Sequence, residues 1–597
     1  MLNNFRAFIA YSRYGNLSNI SLYNKMKFAI LTLLIVCFLP SIEGYSQSLD
    51  YPKNIEWDKA GVISEFPELL EFDRIFYVPR AYGKSDHQNI QNAIDAAGAA
   101  DGTNLVMLFV GKYTLDKPLI LEAGIHDNVY IKGAGPNHLM HSGLSTVLQF
   151  DFSDPRKFRI PIYGNINAAI VFRGGSDKLL GEISGYNSST NQITIKDSNS
   201  DLTVGDLIRI RSNADGKNCN EHPCMGQINR IKSIINTSPL TLELEHNFSL
   251  SWEQQKVYGG LELYVHKIDA LQNVGISSVG IETINYLPDP LPDHFTSCDY
   301  PKARESPQGH HILVFRVYNA HLKNLYSFKP IASHVYMIES YHNKVSESFF
   351  NEVVYSHGCS GGHGYGVNLF RKNTLNLIEN NTFRHMRRAL MFSRGVHKNV
   401  IGYNYSREIW AQTGHQESRG DLSSRNWFDS GNLAEGNRVG RITNDVYHGE
   451  DYTQYKNVYF RNYTFYNFLQ NEGGIQTYFI ANQGEFSQDN DVNSISPDFD
   501  IYAFKNNLPH SNTIELNHTY SATGYSDLDV YMNLVSLYHN EVPDFISQTD
   551  NYHLKYTWPP IGPALSNGRQ LTQDIPARGR YCNAYNGFPD ASYHCND

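Results

Sequence analysis

Pairs of asparagines separated by four residues recur along the second half of the chain, and they constrain its fold more than any other feature. The pairs occur in NAHLKN at 319, NLIENN at 376, NVIGYN at 399, NLAEGN at 432, NVYFRN at 457 and NTIELN at 512, with a variant, NKVSES, at 343. Successive segments are spaced 24 residues (319 to 343), 23 residues (376 to 399) and 25 residues (432 to 457). This period is typical of one coil of a parallel β-helix, which has three short strands and three turns.

Stacked coils would place these asparagines above one another at one turn. Their side-chain amides would then form a ladder and satisfy polar groups that would otherwise be buried without a partner. We therefore interpret the asparagines as structural rather than catalytic, and we expect Asn404 and Asn437 to face inward and to bond to neighbouring coils. Weaker relatives of the pattern, NVGISS at 273 and NVYIKG at 128, occur nearer the N terminus.

Two intervals are longer than the period. The steps from 343 to 376 and from 399 to 432 are each 33 residues, about nine more than one coil. The first excess falls on the glycine-rich stretch HGCSGGHGYG, which begins at His357, and the second falls near QTGHQESRGDLSSRN, which begins at Gln412. Glycine weakens any strand or helix that it enters, so we interpret these stretches as inserted loops. They lie two coils apart, roughly 10 Å, and we expect them to flank a cleft with one compact coil between them.

The N-terminal part has a different pattern. The segment SDHQNIQNAIDAA predicts a helix, because Ser85 and Gln88 form a capping-box pattern and apolar residues fall on one face from Ile90 to Ala97. Short β-like segments follow it. Residues 180–265 form a β-rich insertion without the asparagine repeat.

These patterns predict five segments. They are a leader and signal peptide (1–46), an N-terminal cap with the first coils (47–179), an inserted β-rich subdomain (180–265), the main β-helix with the ladder and the cleft (266–530), and a C-terminal tail packed on the helix (531–597).

The first segment predicts export. An apolar run, FAILTLLIVCFLP, follows Lys25 and Lys27 and precedes the small and turn-forming residues SIEGYSQS. The run is too short to span a membrane and is typical of a signal-peptide core; a buried strand is the alternative. The mature protein is therefore predicted to be secreted or periplasmic, without a membrane span, whether the chain starts at Met1 or at Met26.

Six of the seven cysteines follow this segment, and an even number in an exported chain favours disulfides. We expect the pairs Cys219–Cys224 and Cys582–Cys595, because each pair could close a small loop. A zinc site is the competing interpretation, and the lack of a paired C-x-x-C spacing weighs against it.

The chain resembles the pectate-lyase-like, right-handed parallel β-helix superfamily in its helix segment SDHQNIQNAIDAA, the following GKYTLDKPLILEAGIHDNVYIKGAGP and the asparagine-ladder coils. The resemblance covers most of residues 75–175 and 265–530. It implies an all-β, right-handed parallel β-helix solenoid with an N-terminal capping helix and an inserted small β-domain. The superfamily includes lyases, hydrolases, esterases, epimerases and non-catalytic adhesins, so the resemblance implies no single activity. It also allows a calcium ion, which many of its lyases use, although the predicted cleft shows no cluster of three or more acids.

The formal net charge of −10 gives no reason to expect a nucleic-acid partner. Residues 371–398 run against this average, with seven basic side chains and Glu379 as their one acid. The basic residues are Arg371, Lys372, Arg384, Arg387, Arg388, Arg394 and Lys398. A positive cleft on an acidic, exported protein, which we expect to be a monomer, favours an acidic polysaccharide as the ligand.

A uronic-acid polysaccharide can be cleaved by β-elimination. A base removes the proton at C5, a cation neutralises the adjacent carboxylate, and an acid protonates the leaving oxygen. The predicted catalytic residues are His363 as the base, Lys372 as its reserve, Tyr365 as the acid, and Arg388 and Arg394 as the neutralising groups. The two arginines lie on the same side if RALMFSR is an extended strand, because their separation is even.

Four further residues, Arg384, His385, His397 and His415, are predicted to contact the substrate. Each candidate has a structural alternative: an arginine could be a solvated turn residue, His397 could cap the ladder turn that follows it, and His415 could face solvent. Tyr365 could likewise only pack against the coil.

The predicted function is therefore a lyase for a uronic-acid-containing polysaccharide. The alternative is a non-catalytic carbohydrate-binding or adhesin β-helix, in which aromatic side chains stack on sugars without chemistry. A glycoside hydrolase is the third hypothesis. Polygalacturonase-like hydrolases carry a Gly-His-Gly, present here at Gly362, His363 and Gly364, but the paired aspartates of that group are missing from the ladder coils.

Overall fold

The computed structural model shows a right-handed parallel β-helix with a small barrel inserted into one of its corners. It describes residues 55–78, 85–136, 145–162, 166–196, 202–212, 225–249, 252, 262–286, 309–354, 363–408, 421–425, 428–445, 454–465, 469–471, 474–475, 477–480, 482, 501–504, 535–547, 556–561 and 571–585. No helix in these ranges is long and apolar enough to cross a membrane. The predicted signal peptide and the repeat segment at 512 lie outside them.

Each coil passes through three sheets, I, II and III, in that order. Sheet I consists of β1 Arg74–Val78, β2 Asn104–Leu108, β5 Val129–Lys132, β15 Leu271–Ser277, β18 Val317–Lys323, β21 Lys344–Ser346, β24 Leu377–Glu379, β27 Val400–Gly402, β30 Leu433–Glu435, β34 Val458–Phe460, β38 Thr477–Ile480 and β39 Ile501–Phe504. Sheet II consists of β3 Gly111–Leu115, β6 Thr146–Asp151, β16 Gly280–Ile284, β19 Tyr326–Phe328, β22 Phe349–Asn351, β25 Thr382–Arg384, β28 Tyr405–Arg407, β31 Arg438–Val439 and β35 Tyr463–Thr464.

Sheet III completes each coil. It consists of β4 Leu119–Glu122, β7 Arg159–Ile160, β8 Ile166–Arg173, β17 Gly309–Phe315, β20 Ser333–Ile338, β23 Tyr365–Phe370, β26 Arg388–Ser393, β29 Leu422–Arg425, β32 Ile442–Asp445 and β36 Leu469–Asn471. A short pair, β33 Gln454–Tyr455 and β37 Gly474–Ile475, lies apart from the three sheets. The turns between sheets are named here the I–II, II–III and III–I corners.

The core runs along the solenoid axis because one face of every strand is apolar. In sheet I, Val345, Ile378, Ile401 and Ala434 occupy the same position in four successive strands and are all buried. In-register stacking removes this apolar surface from water in every coil.

The predicted capping helix is α1, Asp86–Gly98. Ser85 caps it by accepting a hydrogen bond from the backbone N–H of Gln88 at 3.2 Å, and its buried face enters the solenoid core. The Gln88 side chain does not return to Ser85 to complete the capping box, because it donates to Asn92 at 2.5 Å instead. Two further helices, α2 Asp544–Ser547 and α3 Pro576–Tyr585, lie in the C-terminal segment.

The inserted β-domain is a closed six-stranded barrel between β8 and β15. Its strands are β9 Asp177–Asn187, β10 Gln192–Ile195, β11 Leu207–Ser212, β12 Gly226–Thr237, β13 Leu240–Leu244 and β14 Leu263–Ile268. All pairings of these strands are antiparallel, and the barrel has an apolar core of its own. It therefore packs against the III–I corner as a separate small layer.

The asparagine ladder is confirmed, but there are two ladders rather than one. The first and last asparagine of each repeat lie at opposite ends of a sheet I strand, so they stack separately. The first ladder contains Asn343, Asn376, Asn399, Asn432 and Asn457, joined by amide hydrogen bonds of 2.8 to 3.1 Å. The second contains Asn381, Asn404, Asn437, Asn462 and Asn482, joined by bonds of 2.9 to 3.1 Å.

Asn319 occupies a different position in its coil from the first asparagine of the later repeats. Strand pairing aligns His321 with Lys344, so this step is 23 residues and Ala320 is opposite Asn343. Asn319 takes a left-handed conformation, with φ 60°, which asparagine tolerates better than most residues. Its side chain donates to Asn273, which donates to Asn128, at 2.8 and 2.9 Å. The weaker N-terminal segments thus form a stack of their own with Asn319.

We expect Asn404→Ala or Asn437→Ala to lower the free energy of unfolding by about 1–3 kcal/mol, because each leaves buried groups unpaired. Both side chains are fully buried, and Asn404 also donates to the Ile378 carbonyl at 2.8 Å. Chemical denaturation measures the change. The exposed Asn236 of the barrel is the matched control, and an Asn404 variant that costs no more than Asn236→Ala would contradict a structural ladder.

Long and short connections alternate at the II–III corner. Residues 285–308, 352–364 and 408–421 are long connections, and between them lie the short turns 329–332 and 385–387. The two predicted insertions are confirmed at this corner, with the predicted compact coil between them. The insertion at 285–308 was not predicted, because the repeat is too weak there to measure a period.

The described parts of the C-terminal segment lie on sheets I and II. The Leu537 N–H donates to Glu435 at 2.8 Å, and the Thr382 hydroxyl donates to the Ala577 carbonyl at 2.7 Å.

Candidate functional site

Part of the predicted site assembles where sheet III begins, at the II–III corner. Tyr365 and Arg388 are direct partners in the pairing of β23 with β26. Ala389 and Leu390 both lie in the core, which interrupts the strand alternation and turns Arg388 outward. Its guanidinium approaches the sulfur of Met391, at 3.9 Å, on the same outer face.

A tight turn at Gly364 positions His363 beside these residues. Gly364 has φ 85°, a conformation that glycine adopts without strain. Its carbonyl accepts hydrogen bonds from the backbone N–H groups of both Arg387 and Arg388, at 3.0 Å each. The glycine of the sequence GHGYG therefore has a local role, because it ties His363 and Tyr365 to the two arginines.

These four residues form the first cluster: His363, Tyr365, Arg387 and Arg388. All are buried, with exposed fractions of 2%, 4%, 5% and 0% respectively. The Arg387 guanidinium lies 5.9 Å from the centre of the Tyr365 ring. The arginines are thus held in a largely dry environment, where a charge interacts more strongly than in water.

Two residues that sequence reasoning missed extend the first cluster. His310 stacks on Tyr336, with ring centroids 4.4 Å apart and planes 17° from parallel. Burial lowers the pKa of His310 to about 3, and His363 contributes to the shift, so the two imidazoles are electrostatic neighbours. The strand register identifies His310, because it aligns His310 with Ser333 and then with Tyr365.

The His363 imidazole is neutral over most of the pH range. Burial, with a further contribution from the Arg387 guanidinium, lowers its pKa to about 4. A neutral imidazole has a nitrogen lone pair that can accept a proton, so His363 has the protonation state that a general base needs.

Arg371 and Arg394 form a second cluster at the far end of the same strands. β26 ends at Ser393, and Arg394 follows in a left-handed conformation with φ 67°. Both guanidiniums lie over the Phe370 ring, at 5.0 and 4.9 Å. Arg388 and Arg394 are separated by six extended residues, roughly 20 Å. They lie at opposite ends of the strand, and the alternation argument that placed them on one side does not apply.

Lys372 lies with the second cluster and faces the barrel. Burial lowers its pKa to about 7, Arg209 and Arg371 lower it further, and Glu339 opposes the shift. Arg209 of the barrel donates to Glu339 at 2.5 Å, and Arg316 of the solenoid donates to the same carboxylate at 2.9 Å. Lys372 is thus part of a charged interface between barrel and solenoid, at the opposite end of sheet III from His363.

Arg384 and His385, predicted to contact substrate, are engaged in ion pairs at the II–III corner. Arg384 pairs with Glu352 at 3.2 Å and with Glu408 at 2.7 Å, and His385 pairs with Glu408 at 2.5 Å. Burial lowers the pKa of His385, but the two carboxylates outweigh it and the net shift is upward. These charges compensate one another, so neither Arg384 nor His385 presents a net charge to a ligand.

His397 lies inside a stack at the III–I corner. It pairs with Thr374 on one side and Ser430 on the other, and its Nδ1 bonds to the Ser430 hydroxyl at 2.7 Å. Only 1% of its surface is exposed, which matches the structural alternative for this residue.

The remaining predictions fall largely outside the part of the chain that the structure describes. These residues are His415, Cys219, Cys224 and Cys595, while Cys582 is buried in α3. Both disulfides therefore stay predictions. Within the described ranges, no group of three or more His, Cys, Asp or Glu side chains could hold a metal ion.

Comparisons with known protein families and with curated protein sequences give no match. Among solved structures, the tailspike protein gp49 from Pseudomonas phage LKA1 is similar, with 12% identity and a TM-score of 0.43, over 66% of this chain and 56% of that one. An endo-xylogalacturonan hydrolase from Aspergillus tubingensis has 10% identity and a TM-score of 0.36, over 73% of this chain and 94% of that one. PfbA, a surface adhesin of Streptococcus pneumoniae, has 14% identity and a TM-score of 0.31, over 67% of this chain and 82% of that one.

The chain spans little more than half the length of the first of these, the phage tailspike. The three proteins include a hydrolase and an adhesin, which are different functional classes. At these identities the activity of the chain has to be argued from its own residues.

Proposed function

We propose that this protein is an exported polysaccharide lyase that cleaves a uronic-acid-containing polysaccharide by β-elimination. One observation carries the proposal: the first cluster combines a neutral buried histidine, a tyrosine and two guanidiniums at one end of sheet III. These groups are a base, an acid and cations for a carboxylate, which are the three parts that the reaction requires.

The arginines make the C5 proton of the sugar removable. Arg387 and Arg388 would bind the uronate carboxylate, and charge-assisted hydrogen bonds from a guanidinium are short and directional. As the C5 proton leaves, negative charge moves onto the carboxylate oxygens. Fixed guanidiniums in a dry site stabilise that charge without first having to reorganise.

The proton transfers then balance. His363 takes the proton from C5. The electron pair of the broken C5–H bond then forms the C4–C5 double bond as the C4–O bond breaks. Tyr365 donates its phenolic proton to the leaving oxygen. The products are one chain with an unsaturated sugar at its new non-reducing end and one chain with a new reducing end.

His363 is preferred to Lys372 as the base because position takes precedence over pKa in such an assignment. The pKa of Lys372, about 7, is closer to neutrality than that of His363, about 4. However, Lys372 is directed to the Glu339 interface, whereas His363 adjoins both arginines that would hold the substrate carboxylate.

The direct test incubates the purified protein with pectin, alginate, ulvan and glycosaminoglycans and follows absorbance near 235 nm. A rise in absorbance reports the C4–C5 double bond and supports the proposal. Parallel reactions with EDTA and with added calcium test whether the reaction uses the calcium ion that the superfamily resemblance allows.

Two other outcomes would overturn the proposal. New reducing ends without absorbance near 235 nm would identify a glycoside hydrolase. Binding to a polysaccharide with no product of either kind would identify a carbohydrate-binding or adhesin protein.

We expect the acid limb of the kcat/KM profile of the lyase to have its midpoint near pH 4. A general base works only when unprotonated, so activity falls as the pH drops through the pKa of the base in the free enzyme. That pKa is about 4 for His363 and about 7 for Lys372. Initial rates at low substrate concentration between pH 3 and 9 separate the two, and a midpoint near 7 would move the base to Lys372.

A further inference from the structure

A row of side chains on the outer face of sheet I, near the N-terminal end of the solenoid, has no part in the proposed lyase site. The row is Tyr77, Met107, Lys132, Ser277 and Lys323, which are register partners in five successive strands. The neighbouring residues Val106 and Ile131 lie in the core, so the row faces away from it.

An exposed aromatic pair begins the row. The rings of Tyr77 and Phe109 are 5.8 Å apart and within 13° of parallel, and 57% and 50% of these residues are exposed. The Phe109 carbonyl accepts hydrogen bonds from the Tyr113 hydroxyl at 3.1 Å and the Thr146 hydroxyl at 3.0 Å. The pair is therefore a flat apolar platform on a fixed backbone, open to solvent.

Two lysines follow the platform along the solenoid axis. Lys132 is two strands from Tyr77, and Lys323 is two strands beyond Lys132, so each step is about 10 Å. This spacing is about the length of one disaccharide in an extended polysaccharide. Lys323 pairs with Glu347 at 3.4 Å, but both side chains are more than a third exposed, and such a pair is readily exchanged for another partner.

We propose that this row is a surface binding site for an acidic polysaccharide. The C–H face of a sugar ring is apolar and packs on an aromatic ring, so the Tyr77–Phe109 platform would hold sugar rings. Lys132 and Lys323 would bind carboxylates on the same chain, at a spacing that fits one acidic group on every second sugar. Charge complementarity and ring stacking together favour this ligand over a neutral polysaccharide.

The site is separate from the proposed catalytic cluster. It lies on sheet I rather than sheet III, and β1 precedes β21, the sheet I strand of the His363 coil, by five strand steps, about 24 Å. The inference rests on the substrate class of the proposed function but not on its chemistry. A bound polymer would be retained on the protein surface whether or not the same molecule cleaves it.

The test measures binding of the full chain to polygalacturonate, alginate and a glycosaminoglycan by affinity electrophoresis. A His363→Ala background prevents cleavage during the measurement. We expect the double variant Tyr77→Ala, Phe109→Ala to lower affinity for the preferred polymer about tenfold, the scale of losing stacked ring contacts. Lys132→Gln should weaken binding to acidic polymers and reduce its dependence on salt, while leaving binding to a neutral β-glucan unchanged.

Matched controls lie on the barrel. Leu179 is 56% exposed, like Tyr77, and Lys178 beside it is an exposed lysine. Leu179→Ala and Lys178→Gln should bind as the parent does. In a chain with His363 intact, the double platform variant should turn over short oligosaccharides at the unchanged rate.

Equal affinity of the platform variants and the parent would refute the surface site. A platform-dependent dimer in solution, detected by light scattering, would also refute it, because the face would then be an interface between two copies. Platform-dependent binding by the chain with His363 intact, without any 235 nm product, would remove the lyase proposal and leave the surface site standing, so the two failures are distinguishable.

Discussion

Replacing His363 with alanine is expected to lower the turnover of the preferred uronate polysaccharide by roughly 10²- to 10⁴-fold, the usual scale for losing a general base. His363 is the neutral imidazole that Gly364 ties to Arg387 and Arg388, whereas the neighbouring neutral imidazole, His310, is stacked on Tyr336. The initial rate of absorbance increase near 235 nm at saturating substrate gives kcat directly.

His321 supplies the control for this variant. Its imidazole is as buried as that of His363, at 2% exposure each, and its pKa is also lowered to about 4, mainly by burial. It lies on sheet I, against Phe66 and Tyr130, and touches no part of the first cluster. His321→Ala should therefore cost stability without a comparable loss of kcat. Full activity of a folded His363→Ala protein would exclude His363 as the base.

The architecture could be predicted from sequence because the β-helix repeats one local rule many times. Each ladder asparagine must sit at a corner where its amide can reach the next coil, so the spacing of Asn376, Asn399 and Asn432 reports the length of a coil directly. The same logic located the two long connections, since any excess over the period must be an insertion.

The register could not be predicted to the residue. NAHLKN and NKVSES look equivalent, yet Asn319 is a left-handed turn residue and Asn343 is a ladder residue. Asparagine suits both positions, because it tolerates positive φ and its amide also stacks well. A one-residue ambiguity of this kind has no consequence for the fold, but it decides which side chains share a face.

The candidate site was predicted in part. The proximity of His363 to Arg388 follows from their being neighbours on adjacent coils, and the structure shows it. The pairing of Arg388 with Arg394 rested on regular alternation, which fails because Ala389 and Leu390 both point inward and β26 stops at Ser393. Irregularities at strand ends come from corner packing, which a repeat pattern does not encode.

The location of Lys372 could not be predicted at all. Its environment depends on Arg209, which is 163 positions earlier in the sequence and belongs to the barrel. A basic run looks the same in the sequence whether its members line a cleft or an interface between domains. Only the docking of the barrel on the III–I corner separates the two.

Asp421→Asn is expected to make the protein more stable at pH 8, on the order of 4 kcal/mol, and to change little at pH 4. Asp421 is fully buried at the start of β29 and accepts a hydrogen bond from the Gly440 N–H at 2.8 Å. Burial raises its pKa from 3.8 to about 7, against the smaller opposing effects of that hydrogen bond and of Ser406, Arg441 and Arg407. Chemical denaturation of both proteins at pH 4, 6 and 8 measures the difference.

The sign of this effect follows from which state binds the proton more tightly. Because the folded protein holds the Asp421 proton up to about pH 7 and the unfolded chain releases it near pH 3.8, the carboxyl favours folding most at low pH. That contribution falls as the pH rises through this window and is gone above it. The asparagine side chain keeps an oxygen that can accept the hydrogen bond from the Gly440 N–H, but it carries no charge at any pH. The variant therefore does not lose this stability as the pH rises.

Asp177 provides a control of opposite sign. Its hydrogen bond with His266 and its pairing with Arg209 and Arg316 outweigh burial and lower its pKa. The stability that it contributes is present above the unfolded pKa of 3.8 and is lost as the pH falls below it. Asp177→Asn should therefore destabilise the protein most at pH 8 and least at low pH. If Asp421→Asn followed the same trend, Asp421 would be ionised in the folded protein. A nearby cation, rather than protonation, would then have to stabilise the buried carboxylate.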